Sequence, residues 1–279
     1  MTIYGWDASD FDWDRGPMNM VSARNAGIDF FTHKATEGTR TIHFKYGEAL
    51  NRARAAGIPV LGAYIVPRTP GNGGHGSVTS QVDYFLNRVE SQTPWWREHP
   101  YWMWQVDTEW WSSNGVYYDK VSPEIGAEVC RQLRERTGRF VVHYAPYWCY
   151  KQTVPNVAPL WSSAYPSHST LSPQIIYPTV GGDSGSGWIA YSGQVPMIWQ
   201  FSATSTIGVQ PRCDANAFRG TIEQLKTIVS GGAHVAEDFT EANKLDISNS
   251  AWEWFHTIDG KNMRDALAEI YGIMADLDN

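Results

Sequence analysis

The stretch QVDTEWW, residues 105–111, places two carboxylates one residue apart inside an aromatic run. The tract before it, YWMW (101–104), is just as apolar, so Asp107 and Glu109 sit where negative charge costs most. Two acids side by side in a low-dielectric setting have their proton affinities pushed apart. One keeps its proton near neutral pH while the other stays ionised. A proton donor beside a fixed negative charge is what cleavage of a glycosidic bond requires. The competing reading is a pair of solvated acids at a strand end, each capping or pairing with a basic residue.

For the pair to act together, one element must present both on one face. Residues two apart in a β-strand share a face and advance about 6.6 Å. Met103, Gln105, Asp107 and Glu109 then form one face, and Trp102, Trp104, Val106 and Thr108 the other. In a parallel barrel the second set packs under helices. The first set points inward, its acids at the C-terminal mouth, where barrel enzymes keep their chemistry. Two more acids occupy comparable places: Asp7 in YGWDAS, ending the first predicted strand, and Asp214 in RCDANAF, after the last strand signal and before a closing helix. Each alone reads as a cap or turn residue. Four acids at the strand ends of one barrel read as a ring.

The chain supplies the elements such a barrel needs. Strand patterns at 3–9, 29–36, 58–67, 101–109 and 139–147 alternate with helical patterns at 20–27, 44–57, 78–90 and 123–138, with Gly57 placed as a C-cap. That alternation implies parallel βα units. After residue 147 the rhythm changes. LWSSAY (160–165), PMIWQFS (196–202) and a short piece near Gly208–Gln210 read as strands with no convincing helix between them, and 166–195 reads as loop. AFRGTIEQLKTIVSGG (217–232) reads as the closing helix.

The expected division is a catalytic barrel over 1–230 and a linker with a helical extension over 231–279. In that extension Met263, Ala266, Leu267, Ile270, Tyr271, Met274 and Leu277 recur at helical spacing. Two readings of that helix stay open: it folds back on the barrel, or it self-associates or holds a partner.

Composition narrows the partners. Fourteen Trp and fourteen Tyr suit a surface that stacks on sugars or bases. A net charge of −7 removes the basic footprint that nucleic acid needs. No apolar run approaches the ~20 residues of a membrane span, so membrane insertion is not expected. The N-terminus, MTIYGWDASDFDWD, has neither the basic region nor the apolar stretch of a secretory signal. Cys130, Cys149 and Cys213 lack CxxC spacing and are expected to be free and buried. The eight histidines are scattered without HExxH, so no metal or cofactor is expected. His33 and His143 read as hydrogen-bonded core or groove residues.

With these residues in view, the chain resembles the glycoside hydrolase family 25 lysozymes, the Chalaropsis-type muramidases common among phage endolysins. The matching pieces run in order: GWDASDFDW (5–13), HKATEG (33–38), GAYIV (62–66), VDTE (106–109), VVHYAPY (141–147), LWSSAYPS (160–167), IWQFS (198–202) and CDANAFRG (213–220). Ile65-Val66 stands where many members carry His-Phe.

The resemblance implies an α/β fold, an irregular TIM-like (β/α)5β3 barrel, acting on the peptidoglycan glycan strand at the β-1,4 bond between N-acetylmuramic acid and N-acetylglucosamine. It implies Glu109 as general acid. Asp107 would stabilise positive charge or orient the substrate's N-acetyl group, and Asp7 and Asp214 would complete the acidic ring. Lys34, Tyr64, Tyr144, Trp161 and Gln200 would line the groove. An endolysin of this kind would be made in the host cytoplasm and reach the cell wall after holin-type release.

The alternatives are a non-catalytic sugar-binding barrel of a phage tail or cell-surface protein, a chitinase-like barrel and a metal-dependent amidase. The chitinase pattern D-x-x-D-x-D-x-E fails at Trp102 and Gln105.

Overall fold

The computed structural model describes residues 1–231. The extension expected beyond residue 231, with its amphipathic helix and any self-association through it, lies outside the described residues. Along the chain the elements are β1 (Thr2–Ala8), α1 (Met20–Asn25), β2 (Ile28–Glu37), β3 (Thr41–Ile42), α2 (Tyr46–Ala55), β4 (Val60–Val66) and α3 (Val78–Gln92). There follow β5 (Trp102–Asp107), β6 (Trp110–Ser113), β7 (Val116–Lys120), α4 (Pro123–Thr137), β8 (Phe140–Tyr144) and α5 (Tyr147–Tyr150). The last are β9 (Leu160–Ser163), α6 (Pro173–Thr179), β10 (Ile198–Ile207), β11 (Gln210–Arg219) and α7 (Ile222–Val229).

Strands β1-β11-β10-β9-β8-β5-β4-β2 are hydrogen-bonded in that order, and β1 pairs with β2 to close the ring. Every barrel pairing is parallel except those of β11, which runs antiparallel to both β10 and β1. The first five barrel strands are each followed by a helix, α5 being a single turn, and the last three close the ring. This is the (β/α)5β3 arrangement that the family resemblance implies, and it agrees with the strand–helix rhythm.

Helix boundaries follow local chemistry. Ser77 caps α3 by accepting from the Ser80 amide at 3.1 Å, and α4 starts on Pro123, whose missing N–H costs nothing at a first turn. Gly57 and Gly138 follow α2 and α4 at φ +73° and +65°, a backbone region that favours glycine.

Alternation sorts the strand faces as read from sequence. Trp104 packs outward against Phe85 of α3 at 5.4 Å and donates to Thr137 Oγ1 of α4 at 2.8 Å. Trp102 stacks edge-on against Trp95 at 5.5 Å. His33 and His143 are also buried outside the barrel wall. His33 Nδ1 lies 2.8 Å from the Lys34 carbonyl, and His143 Nε2 lies 2.9 Å from Thr108 Oγ1. Burial pushes both imidazoles down to about 3, so they are neutral structural groups. The three cysteines are free and buried. Among the described residues no helix is long and apolar enough to cross a membrane.

The barrel floor is apolar and tightly filled. A Cβ on Gly5 would fall 2.1 Å from the Phe30 ring, and one on Gly62 would fall 2.2 Å from the Met103 carbonyl oxygen. Phe30 meets Trp161 edge-to-face at 6.1 Å across this floor. A well-packed floor keeps the polar groups above it near the mouth.

Three expectations are corrected. The piece near Gly208–Gln210 contains the turn of a β10–β11 hairpin, and residues 217–219, expected to begin the closing helix, end β11. Asp214 is therefore in mid-strand, not in a turn after one. The segment 166–195, expected to be loop, holds α6, whose Tyr177 packs on Phe201 at 5.2 Å and Trp199 at 5.8 Å. Residues 110–120, which carried no assignment, form the β6–β7 hairpin, turning at Asn114-Gly115 with positive φ at both positions.

Candidate active site

The four acids gather at the C-terminal mouth. Asp7 on β1 lies directly across from Asp214 on β11, so their side chains share the inner face. Asp107 ends β5 beside Tyr144 of β8. Glu109 falls just beyond β5, in the two-residue link to the hairpin, instead of within the strand. Thr108 fixes that link: its amide donates to the Tyr144 carbonyl at 2.9 Å, while its hydroxyl faces outward to His143.

Asp7 is held by amide donors. Gln200 Nε2 donates to both its oxygens, at 2.8 and 3.0 Å, and Asn216 Nδ2 donates to Oδ1 at 2.6 Å. Gln200 Oε1 accepts in turn from Tyr144 at 3.2 Å and from Tyr165. Asn216 Oδ1 accepts from Trp161 Nε1 at 2.9 Å.

Trp161 thus departs from the expectation that it lines the groove. It is completely buried in the floor and reaches Asp7 only through Asn216. Lys34, Tyr64, Tyr144 and Gln200 keep small exposed areas at the base of the mouth. Lys34 Nζ lies 5.7 Å from the Tyr64 ring centroid and 5.5 Å from that of Trp111.

The electrostatics separate the carboxyls. Glu109 is raised well above its ordinary value, first by burial, then by the charge of Asp107 and their shared hydrogen bond, with Lys34 opposing. It keeps part of its surface open to the mouth. Asp107 is raised to about 6 by burial, restrained by Lys34 and by the bond to Glu109. Its Oδ1 is buried without a protein hydrogen-bond partner, a costly state for a structural carboxylate. Asp214 is raised well above the ordinary range by burial and by the charges of Asp7, Asp12 and Asp107. Burial raises Asp7 to about 7 against its amide donors. Among the described residues no three such side chains converge closely enough to hold a metal ion, so the acids share a field without forming a ligand cluster.

A linkage effect follows. Asp7 binds its proton more tightly folded, at about 7, than at its ordinary 3.8. Between those values the folded state holds the extra proton, so stability falls as pH rises through the window. His33 and His143, held neutral, act in the opposite sense below their ordinary 6.5. Comparison with Asp7→Asn isolates the carboxyl. The Tm of the variant relative to wild type is expected to climb from about pH 5 to about pH 8. A Tm difference that stays flat or shrinks across that range contradicts burial of Asp7 as the dominant influence.

Several groups that sequence reading passed over belong to the site. Asn216 and Tyr165 complete the Asp7 network. Asp12, whose carboxylate accepts from the Ser9 amide at 2.8 Å, adds a fifth acidic group near Asp7 and Asp214. The alternation Asp214/Asn216/Phe218 against Cys213/Ala215/Ala217 was the available signal for Asn216.

The aromatic surface follows the same geography. Phe11, Tyr117, Tyr118, Tyr147, Trp148 and Tyr165 are exposed, and all lie in segments following β1, β5, β8 or β9, at the mouth.

Comparison with known proteins agrees with this geometry. The family model described as glycosyl hydrolases family 25 matches residues 6–208. The chain is 27% identical over 245 residues to lysozyme M1 of Streptomyces globisporus, covering 83% of this chain and 72% of that protein. Its fold matches the bacterial lysozyme of Streptomyces coelicolor with a TM-score of 0.59 at 24% identity, covering 83% and 98% of the two chains. The catalytic domain of endolysin ply40 from bacteriophage P40 of Listeria monocytogenes matches with a TM-score of 0.56 at 15% identity, over 81% and 98%.

Proposed function

The chain belongs to glycosyl hydrolase family 25 and is a glycoside hydrolase; from that premise we propose that it is a muramidase. Its substrate in this reading is the peptidoglycan glycan strand, cleaved at the β-1,4 bond between N-acetylmuramic acid and N-acetylglucosamine. The observation that carries the reading is the Asp107–Glu109 pair at the mouth, where burial and the Asp107 charge raise the proton affinity of Glu109.

Glu109 donates a proton to the glycosidic oxygen as the bond to the muramic acid C1 breaks, and water then supplies the hydroxyl at C1 while its proton returns to Glu109. Asp107, with its unsatisfied Oδ1, supports the positive charge developing on the sugar ring or orients its N-acetyl group. Asp7 and Asp214 extend the acidic ring along the β1–β11 side. Lys34, Tyr64, Tyr144 and Gln200 shape the floor, and the exposed aromatic rim offers flat faces to successive sugars.

Similarity to a phage endolysin domain supports a lytic role: a protein made in the host cytoplasm that meets the wall after a holin opens the membrane. The test is the identity of the new reducing ends. Peptidoglycan digested with the protein and then reduced with borohydride is expected to yield muramitol. Glucosaminitol instead would make the enzyme a glucosaminidase, and no new reducing ends would remove the glycosidase reading.

A further inference from the structure

Glu109 stands in a link with two anchors. Upstream is the barrel wall through β5 and Thr108. Downstream is the β6–β7 hairpin, which is a weak support by itself. A lone two-stranded hairpin is marginal in water, and the tip of this one carries exposed Val116, Tyr117 and Tyr118.

What fixes it is an ion network buried at its base. Asp119 on β7, opposite Trp111 on β6, pairs through Oδ2 with Arg68 Nε at 3.0 Å. It also accepts from Thr69 Oγ1 at 2.6 Å and from the Thr69 amide at 3.2 Å. Arg68 donates onward to Glu37 Oε1, at the end of β2, at 2.7 Å. Arg68 and Asp119 are only 5% and 3% exposed. Burying such a pair gives little net stability over apolar packing, while breaking it leaves an uncompensated charge. Its distinguishing output is geometric: it ties the hairpin to the rims of β2 and β4. The Trp111 ring lies 5.5 Å from both the Lys34 and the Arg68 cation. On the other side Trp110 meets Tyr150, whose hydroxyl donates to the Val121 carbonyl at 2.8 Å.

We infer that Asp119 is a positioning residue for Glu109: through Arg68 and Thr69 it clamps the hairpin and so holds the acid against the groove. The inference rests on the reading of Glu109 as proton donor. The groups facing that carboxyl are Asp107 from β5, Lys34 from β2, Asp214 from β11, Tyr144 from β8, Tyr165 beyond β9, and Cys149 and Tyr150 from α5. Asp119 instead bonds Arg68 and Thr69 at the hairpin base, so it acts through position. Loosening the hairpin admits water to Glu109 and draws its proton affinity back towards the ordinary range. Activity that needs the protonated acid is then lost at lower pH.

The experiment measures kcat, KM and the pH dependence of kcat/KM on soluble peptidoglycan fragments for wild type, Asp119→Asn, Asp119→Glu and Glu109→Gln, with Tm for each. Asp119→Asn is expected to lower kcat on the order of 10- to 100-fold with KM little changed. Its basic limb should move to lower pH, with partial recovery in Asp119→Glu. In a Glu109→Gln background the same substitution should add almost nothing, since the two act as one unit. If Asp119→Asn fails to fold, Thr69→Val removes one bond to the same carboxylate and should show a smaller loss in the same direction. Wild-type kcat and an unmoved limb, with Glu109→Gln inactive, overturn the positioning role alone. An active Glu109→Gln overturns the reading beneath it.

Discussion

Glu109→Gln is expected to lose cell-wall clearing by about 10²–10⁴-fold, the usual worth of a positioned proton donor. The amide keeps the size and a hydrogen bond to Asp107 but has no proton to give the leaving oxygen. Glu109 is raised by burial and by Asp107, so the native site accepts strain to keep an acid there. Relieving it should leave Tm unchanged or higher. Turbidity loss of a wall suspension, read beside Tm, separates this outcome from misfolding. A variant that clears at wild-type rate removes Glu109 from the reaction; a variant that is inactive because it is unfolded would show in the melting curve.

Asp107→Asn should cost roughly 10²–10³-fold, the scale set by losing one preorganised electrostatic contact to a developing charge. It also carries a second, independent signature. The Asp107 charge is one of the influences raising Glu109. Its removal lowers the Glu109 proton affinity, so the fraction of protonated acid at neutral pH falls. The basic limb of kcat/KM therefore shifts to lower pH, and the residual activity is best at more acidic pH than in wild type. A limb that stays put, or moves to higher pH, contradicts the coupling of the two carboxyls.

Much of this arrangement is legible in the sequence, for a physical reason. In β5 the period-two alternation places Gln105 and Asp107 on one face and Trp102 and Trp104 on the other, and only the inner face can tolerate acids. The same logic placed Asp7 correctly, because β1 pairs in parallel with β2 and ends at the mouth. Glu109 was harder, since it lies past the last ladder bond and is oriented by Thr108 and the hairpin, not by the pleat.

The failures cluster where neighbours override local pattern. β11 is built from Cys213, Ala215 and Ala217 outward with Asp214 and Asn216 inward, a composition poor in β-branched residues. It is a strand because β1 and β10 flank it on both sides. The hairpin carries a readable turn signal, Asn114-Gly115, shortly after the aromatic run. Trp161 shows the limit of carrying a site residue over by resemblance. Its place in the motif is kept, yet Asn216 stands between it and Asp7, so its contribution is to hold the floor.

Proton affinity is the property on which the whole reading turns, and it can be observed at the atom concerned. Carboxyl ¹³C spectra of the labelled protein, titrated beside Glu109→Gln, identify the Glu109 resonance as the one the variant lacks. That resonance should titrate well above the ordinary glutamate value of 4.5. Titration at or below it would mean that Glu109 is ionised when the enzyme works and is not the proton donor.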